Sequence, residues 1–190
     1  MEIYLIRHTT PLIEKGICYG QYDVPLRETF EKERNQLLSH LPEKPDAVYA
    51  SPLSRCALLA QFITTRQPLQ FDNRLLEMDF GKWEMKCWKA LQQEELNHWM
   101  NDFVNVKVPG GESFVDLYNR VSAFRNQLIK KNEDTVIIVT HAGVIRCFVA
   151  NVLEISLKNA FKIQIDYSSI TKIQLQAENS FNKLLYLNKI

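Results

Sequence analysis

Apolar residues along the chain keep two rhythms: short, nearly unbroken runs, and longer stretches where they return every three or four positions. The runs at residues 2–7, 46–50 and 135–140 predict buried strands, and the spaced stretches predict amphipathic helices. Residues 8–25, punctuated by Pro11, Gly16, Gly20 and Pro25, read as a loop. Residues 27–41 read as a helix with Phe30, Leu37 and Leu41 on one side. Ser51 followed by Pro52 has the form of an N-cap and a first-turn proline, opening a helix to about residue 65. Leu53, Ala57, Leu58, Leu59, Ala60 and Phe62 take up most of that helix's surface, so it is expected to lie well inside the fold.

Residues 82–104 break the pattern, mixing Trp83, Trp88, Trp99 and Phe103 with many charges. They read as a helical excursion covering something, closed by Val108, Pro109, Gly110 and Gly111 to make a cover segment over 82–112. Residues 112–131 give the strongest helix, with Phe114, Leu117, Val121, Phe124 and Leu128 at alternating steps of three and four. A helix over 142–153 and a short helical piece near 156–160 follow the strand at 135–140. Residues 163–165, 169–176 and 182–188 look like strands, and the polar stretch 177–180 suggests that the last two pair antiparallel. Strands alternating with helices imply an α/β fold, a three-layer α/β/α sandwich with a mostly parallel sheet and an antiparallel edge. With no repeats or linker-like stretches, residues 1–190 are expected to form one domain.

Composition narrows the function. An apolar content of 46% and a charged content of 24% are those of an ordinary soluble domain. A net charge of +1 argues against nucleic acid as a partner, so any anionic ligand must be held by local residues. The apolar start is cut short by Arg7 and His8, and no run approaches the ~20 residues of a membrane span, so neither a signal peptide nor a membrane partner is expected. Cys18, Cys56, Cys87 and Cys147 are scattered without a CxxC pair or zinc-ligand spacing, which points to reduced thiols, a cytoplasmic setting and no metal. Oligomeric state is not encoded in any of these features.

The chemistry sits at two strand tips. One strand delivers Arg7 and His8 into a loop, and the strand at 135–140 delivers His141 into another. Open α/β sheets place their sites at such carboxyl ends, and distant strands become neighbours there. Taken alone, His8 reads first as a strand-end histidine bonded to loop carbonyls. With a second imidazole and an arginine, it reads as a nucleophile toward a phosphoryl group, its other nitrogen fixed by a carbonyl. His141 precedes Ala142 and Gly143 at a helix start, where free backbone N–H groups favour anions. Arg55, in the first turn of its helix, is a second candidate clamp beside Arg7. A general acid is sought among Glu77, Asp79 and Glu84, between which spacing does not choose.

Four motifs in order, Arg7-His8-Thr9, Ser51-Pro52-Leu53-Ser54-Arg55, Leu75-Leu76-Glu77 through Trp83-Glu84, and Thr140-His141-Ala142-Gly143, resemble the histidine phosphatase superfamily, also called phosphoglycerate mutase-like, over essentially the whole chain. The resemblance implies that His8 becomes phosphorylated, that Arg7, Arg55 and His141 form the phosphate pocket, and that Glu77 protonates the leaving oxygen. It also implies that Gly20 and Ala142 stand at the substrate, and that no metal or cofactor is needed. The chain departs from the usual pattern at Thr9, Ala142 and Met85, each where a glycine is common, and it lacks a usual asparagine, for which Thr9 or Thr10 is the stand-in. Gly16 through Leu26, Asp79 through Glu84 and Pro109 through Ser113 look most like the α-ribazole phosphatases. Their small-molecule substrate would be α-ribazole 5′-phosphate or cobalamin 5′-phosphate. Trp83, Trp88, Trp99, Tyr19 and Tyr22 are candidates to stack on its base, although the first expectation for each tryptophan is that it fixes the cover to the sheet. A broad sugar-phosphate phosphatase, a mutase and a non-catalytic phosphate-binding module are the competing expectations.

Overall fold

A computed structural model describes residues 1–64, 68–176 and 181–190. Its sheet runs in the order β3-β2-β4-β1-β5-β6, with β1 Glu2–Arg7, β2 Ala47–Ala50, β3 Leu69–Phe71, β4 Thr135–Thr140, β5 Ile170–Gln174 and β6 Lys183–Lys189. β1, β2, β3 and β4 are parallel, whereas β5 and β6 add an antiparallel edge. This is the expected mostly parallel α/β sandwich.

Strand alternation decides which side chains face which layer. Ile3, Leu5, Tyr49, Val136 and Ile138 join one core with α4 (Phe114–Leu128) and α5 (Ala142–Val152). Ile6, Val48, Ala50, Ile137 and Val139 join the other with α1 (Phe30–Leu38) and α2 (Ser54–Ile63). The stripe on α4 is buried as its spacing requires, and Ser113 starts that helix with a reciprocal capping box to Asp116.

Several elements differ from the sequence reading. α2 begins at Ser54 with Leu53 as its extended N-cap, and the Ser51 hydroxyl faces His141 instead of capping the helix. Leu58 and Phe62 are exposed, so α2 buries a single face through Cys56, Leu59, Ala60 and Ile63. The cover is helical mainly in α3 (Gln93–Asn101), with short 3-10 turns at Gly81–Trp83 and Trp88–Ala90, and is otherwise irregular. Residues 163–165 form no strand: the Ile163 and Ile165 carbonyls accept from arginine side chains. The short edge strand β3 carries no clear sequence signal, with one half-buried apolar residue, Leu69, in its three positions. The expected turn at 177–180 lies outside the described residues.

Candidate active site

The four parallel strands all release their chains at one edge of the sheet. In the β1–β4 register Arg7 is opposite Thr140, so His8 and His141 leave side by side, with ring centroids 5.2 Å apart. β2 is paired to β4 so that the Ser51 amide donates to the Val139 carbonyl, and the Ser51 hydroxyl meets His141 Nε2 at 2.8 Å. α2 starts three residues later and brings in Arg55. After β3 the chain turns through Leu75 to Glu77, tied down where Thr140 Oγ1 donates to the Leu75 carbonyl at 2.8 Å. Arg7, His8, Arg55, Glu77, His141 and Ala142 thereby line one cleft of about 340 Å³.

His8 is 2% exposed and its Nδ1 lies 2.8 Å from the Thr9 carbonyl. A carbonyl can only accept, so Nδ1 carries the proton and Nε2 keeps its lone pair. Burial, reinforced by the Arg55 and Arg7 charges, holds the imidazole pKa well below 6.5. His141 is fully buried, and the same effects, with burial first and then Arg55, hold it neutral too.

Arg55 is fully buried and donates to the carbonyls of Tyr22, at 2.9 Å, and Gly20. Arg7 donates to the Ile165 carbonyl at 2.6 Å and lies 3.5 Å over the Tyr167 ring. The Nε of each arginine and Thr9 Oγ1 are buried without a protein partner. Unsatisfied buried donors are costly, and two of these three belong to arginines that line the cleft, a donor set suited to an anion. Thr10, by contrast, is committed to Glu33 through both its amide and its hydroxyl.

The three acids left open by spacing have separate tasks. Glu77 reaches the cleft, where Oε2 accepts from the Gly143 amide at 3.0 Å. Asp79 accepts from the Gly81 amide within its own turn. Glu84 gathers the amides of Gly20, Gln21, Tyr22 and Phe80, and so shapes the loop whose carbonyls hold Arg55. Gly20 belongs to that support and does not line the cleft. Of the aromatics, Tyr19 and Trp88 line the cleft, Trp83 and Trp99 are buried in a ring cluster beneath the cover, and Tyr22 is exposed away from it.

Four lining residues, Ile17, Phe80, Arg146 and Tyr167, were given no role in the sequence reading. Tyr167, just before β5, packs between Arg7 and the hydroxyl of Tyr19. Phe80 stands at the mouth. Arg146, the single charge in α5, donates to the Ile163 carbonyl through Nε at 3.0 Å. That isolation was its available signal.

A model of the histidine phosphatase superfamily (branch 1) matches residues 3–188. The chain belongs to that superfamily. A Hydrogenobacter thermophilus protein provisionally named phosphoserine phosphatase 2 is 32% identical, over 100% of this chain and 96% of the relative. The adenosylcobalamin/alpha-ribazole phosphatase of Escherichia coli is 28% identical, over 99% of this chain and 96% of its own length. The crystal structure of the alpha-ribazole phosphatase from Shigella flexneri superposes with a TM-score of 0.91 at 26% identity, over 100% of this chain and 96% of that one. Among the described residues no three His, Cys, Asp or Glu side chains are grouped to hold a metal ion, and no helix is long and apolar enough to cross a membrane.

Proposed function

We propose that the protein is a metal-independent phosphomonoesterase working through a phosphohistidine on His8. The observation that carries this reading is the tautomer: a buried neutral imidazole with Nδ1–H on the Thr9 carbonyl presents a free Nε2 among arginine donors that lack partners. His8 Nε2 attacks phosphorus, the P–O ester bond breaks, and Glu77 gives its proton to the leaving oxygen. Arg7, Arg55, His141 and the Ala142 amide hold the phosphoryl oxygens. Water then attacks phosphorus, Glu77 takes its proton, the N–P bond breaks, and phosphate leaves with His8 restored.

The substrate we favour is α-ribazole 5′-phosphate or cobalamin 5′-phosphate, as in the assembly of a cobalamin nucleotide loop. Tyr19, Phe80, Trp88 and Ile17 give the mouth of the cleft an aromatic and apolar lining suited to a nucleoside. A second reading, phosphoserine, is favoured by one feature: Arg146 adds a cation to the cleft that would suit a substrate carboxylate.

Phosphate release in EDTA from α-ribazole 5′-phosphate, phosphoserine and nitrophenyl phosphate tests the proposal. Turnover of all three with a clear preference for the first is expected, and the His8→Ala variant should fold normally and turn over none. Preference for phosphoserine would transfer the substrate assignment to the second reading. Undiminished turnover by His8→Ala would refute the mechanism, and release that depends on added metal would refute its metal independence.

A further inference from the structure

Glu33, in the first turn of α1, stands outside the cleft but gathers four donors onto one carboxylate. Oε2 accepts from the Thr10 amide at 2.8 Å, from the Thr10 hydroxyl at 3.1 Å and from the Ser168 hydroxyl. Oε1 accepts from the Thr29 hydroxyl at 2.6 Å. Burial works against a charge there, but the hydrogen bonds from Ser168, Thr29 and Thr10 outweigh it and hold the carboxyl below its usual 4.5. The group is therefore an anion at neutral pH.

The Thr10 amide is half of a peptide unit whose other half is the Thr9 carbonyl, which accepts from His8 Nδ1–H at 2.8 Å. Carboxylate, peptide and imidazole thus form one hydrogen-bonded chain. A peptide unit is resonance-coupled from nitrogen to oxygen, so an anion on its N–H pushes electron density onto its carbonyl. Hydrogen bonds linked in series in this way strengthen one another. The unit is also pinned from both sides. The Arg27 amide donates to the Thr10 carbonyl at 3.2 Å, and the Ser168 amide donates to the His8 carbonyl at 3.2 Å. Ser168 sits at a φ of 57°, a strained value for a residue with a side chain, and from there reaches both His8 and Glu33.

The chain matters when His8 acquires charge. As Nε2 bonds to phosphorus and the ester P–O bond breaks, Glu77 protonates the leaving oxygen and Nδ1 keeps its own proton. The ring is then a phosphorylated imidazolium. Burial, followed by the Arg55 and Arg7 charges, opposes positive charge on this ring. A strengthened acceptor at Nδ1–H offsets part of that cost, and does so most as the charge develops.

We propose that Glu33 is a positioning residue for the nucleophile, holding and polarising the Thr9–Thr10 peptide so that the Thr9 carbonyl supports His8 Nδ1–H while Nε2 bonds to phosphorus. This role rests on the phosphohistidine reading and deepens it with a residue that never touches substrate.

Single-turnover release of nitrophenolate from nitrophenyl phosphate, with protein in excess, measures formation of the phosphoenzyme on an ester that needs little help from Glu77. Calorimetry with inorganic phosphate measures the pocket alone. Glu33→Gln keeps the shape and an oxygen for Thr10 but removes the charge. It should slow nitrophenolate release about tenfold, the low end of the effect of changing a metal-bound histidine's outer hydrogen-bond partner. Phosphate affinity should stay as it was. Ser168→Ala cuts the tie between the loops but leaves the carboxylate on the Thr10 amide, and should slow release less than Glu33→Gln. In the unsubstituted protein, the Thr10 amide proton should move downfield in NMR spectra when vanadate bonds to His8 Nε2 as phosphorus would. Undiminished release by Glu33→Gln, equal slowing by Ser168→Ala, phosphate affinity falling in step with the rate, or a Thr10 amide proton unmoved by vanadate would each overturn the role. Failure of the underlying reading looks different: His8→Ala would still release nitrophenolate.

Discussion

Glycine at position 143 is required by a neighbour, not by its own backbone. A Cβ there would stand 2.2 Å from Glu77 Oε1 and 3.0 Å from Leu117 Cδ2, so the bare backbone is what lets the carboxylate reach the Gly143 amide. Gly143→Ala is expected to push Glu77 out of line and lower kcat on the order of 100-fold, the lower end of what a positioned acid–base group contributes. KM should change little, because the arginines stay in place, and steady-state kinetics on nitrophenyl phosphate would show the split. Unchanged kcat would mean that Glu77 does not act from this position. Met85 illustrates the opposite case, an ordinary residue with φ at 62° where a glycine would be unstrained. At this scale His8, Arg7, Arg55 and His141 were legible because each needs an unusual residue type at a strand or helix end. Gly20 was legible as special but its task was not, since the Arg55 bond to its carbonyl is made by the backbone.

Helix α4 does more than fill the core. Its Arg120 forks onto Glu112 at 2.8 and 2.9 Å and donates to the carbonyls of Arg74, Leu76 and Glu77 at 2.9, 2.6 and 2.8 Å. The turn that presents Glu77 is thus fastened by one planar guanidinium. Arg120→Lys keeps the charge but lacks the fork, and is expected to lower kcat at least tenfold with KM nearly unchanged. It should also destabilise the fold by about 1–3 kcal/mol through the stranded carbonyls. Equal loss of kcat and stability on Arg120→Lys and on a distant destabilising substitution would reduce its role to structure alone, and urea unfolding beside kinetics makes that comparison. Elements with a strong internal period, such as α4 and β4, were readable because local spacing alone fixes what they bury. The start of α2 was misread because Ser51 finds a better partner in His141, and β3 escaped because a three-residue edge strand has too few positions to show a period.

For the whole molecule, the cleft makes stability depend on pH. Two buried imidazoles have pKa values below their unfolded value of 6.5, so below that pH the unfolded chain binds more protons than the folded one. Stability is therefore complete above about pH 6.5 and is lost as pH falls toward the folded pKa values, by up to ~1.4 kcal/mol per unit for each group. Glu33 and Asp72, whose pKa values are lowered, add their losses only below 4.5 and 3.8. Urea unfolding at pH 7.0, 6.0 and 5.0 should show this decline, and His141→Gln should flatten it by about half; a curve flat to pH 5 in the unsubstituted protein would show that the imidazoles are not held neutral. The sequence by itself determined the α/β class, the burial of the central strands and the residue types gathered for phosphoryl chemistry, because these follow from short-range period and from side-chain chemistry. Only the tertiary structure decided that Glu77, and neither Asp79 nor Glu84, enters the cleft, that Arg120 fastens it, and that Tyr167 and Arg146 complete the lining. Those outcomes depend on strand register and on contacts between segments dozens of residues apart, which no local pattern of side chains encodes.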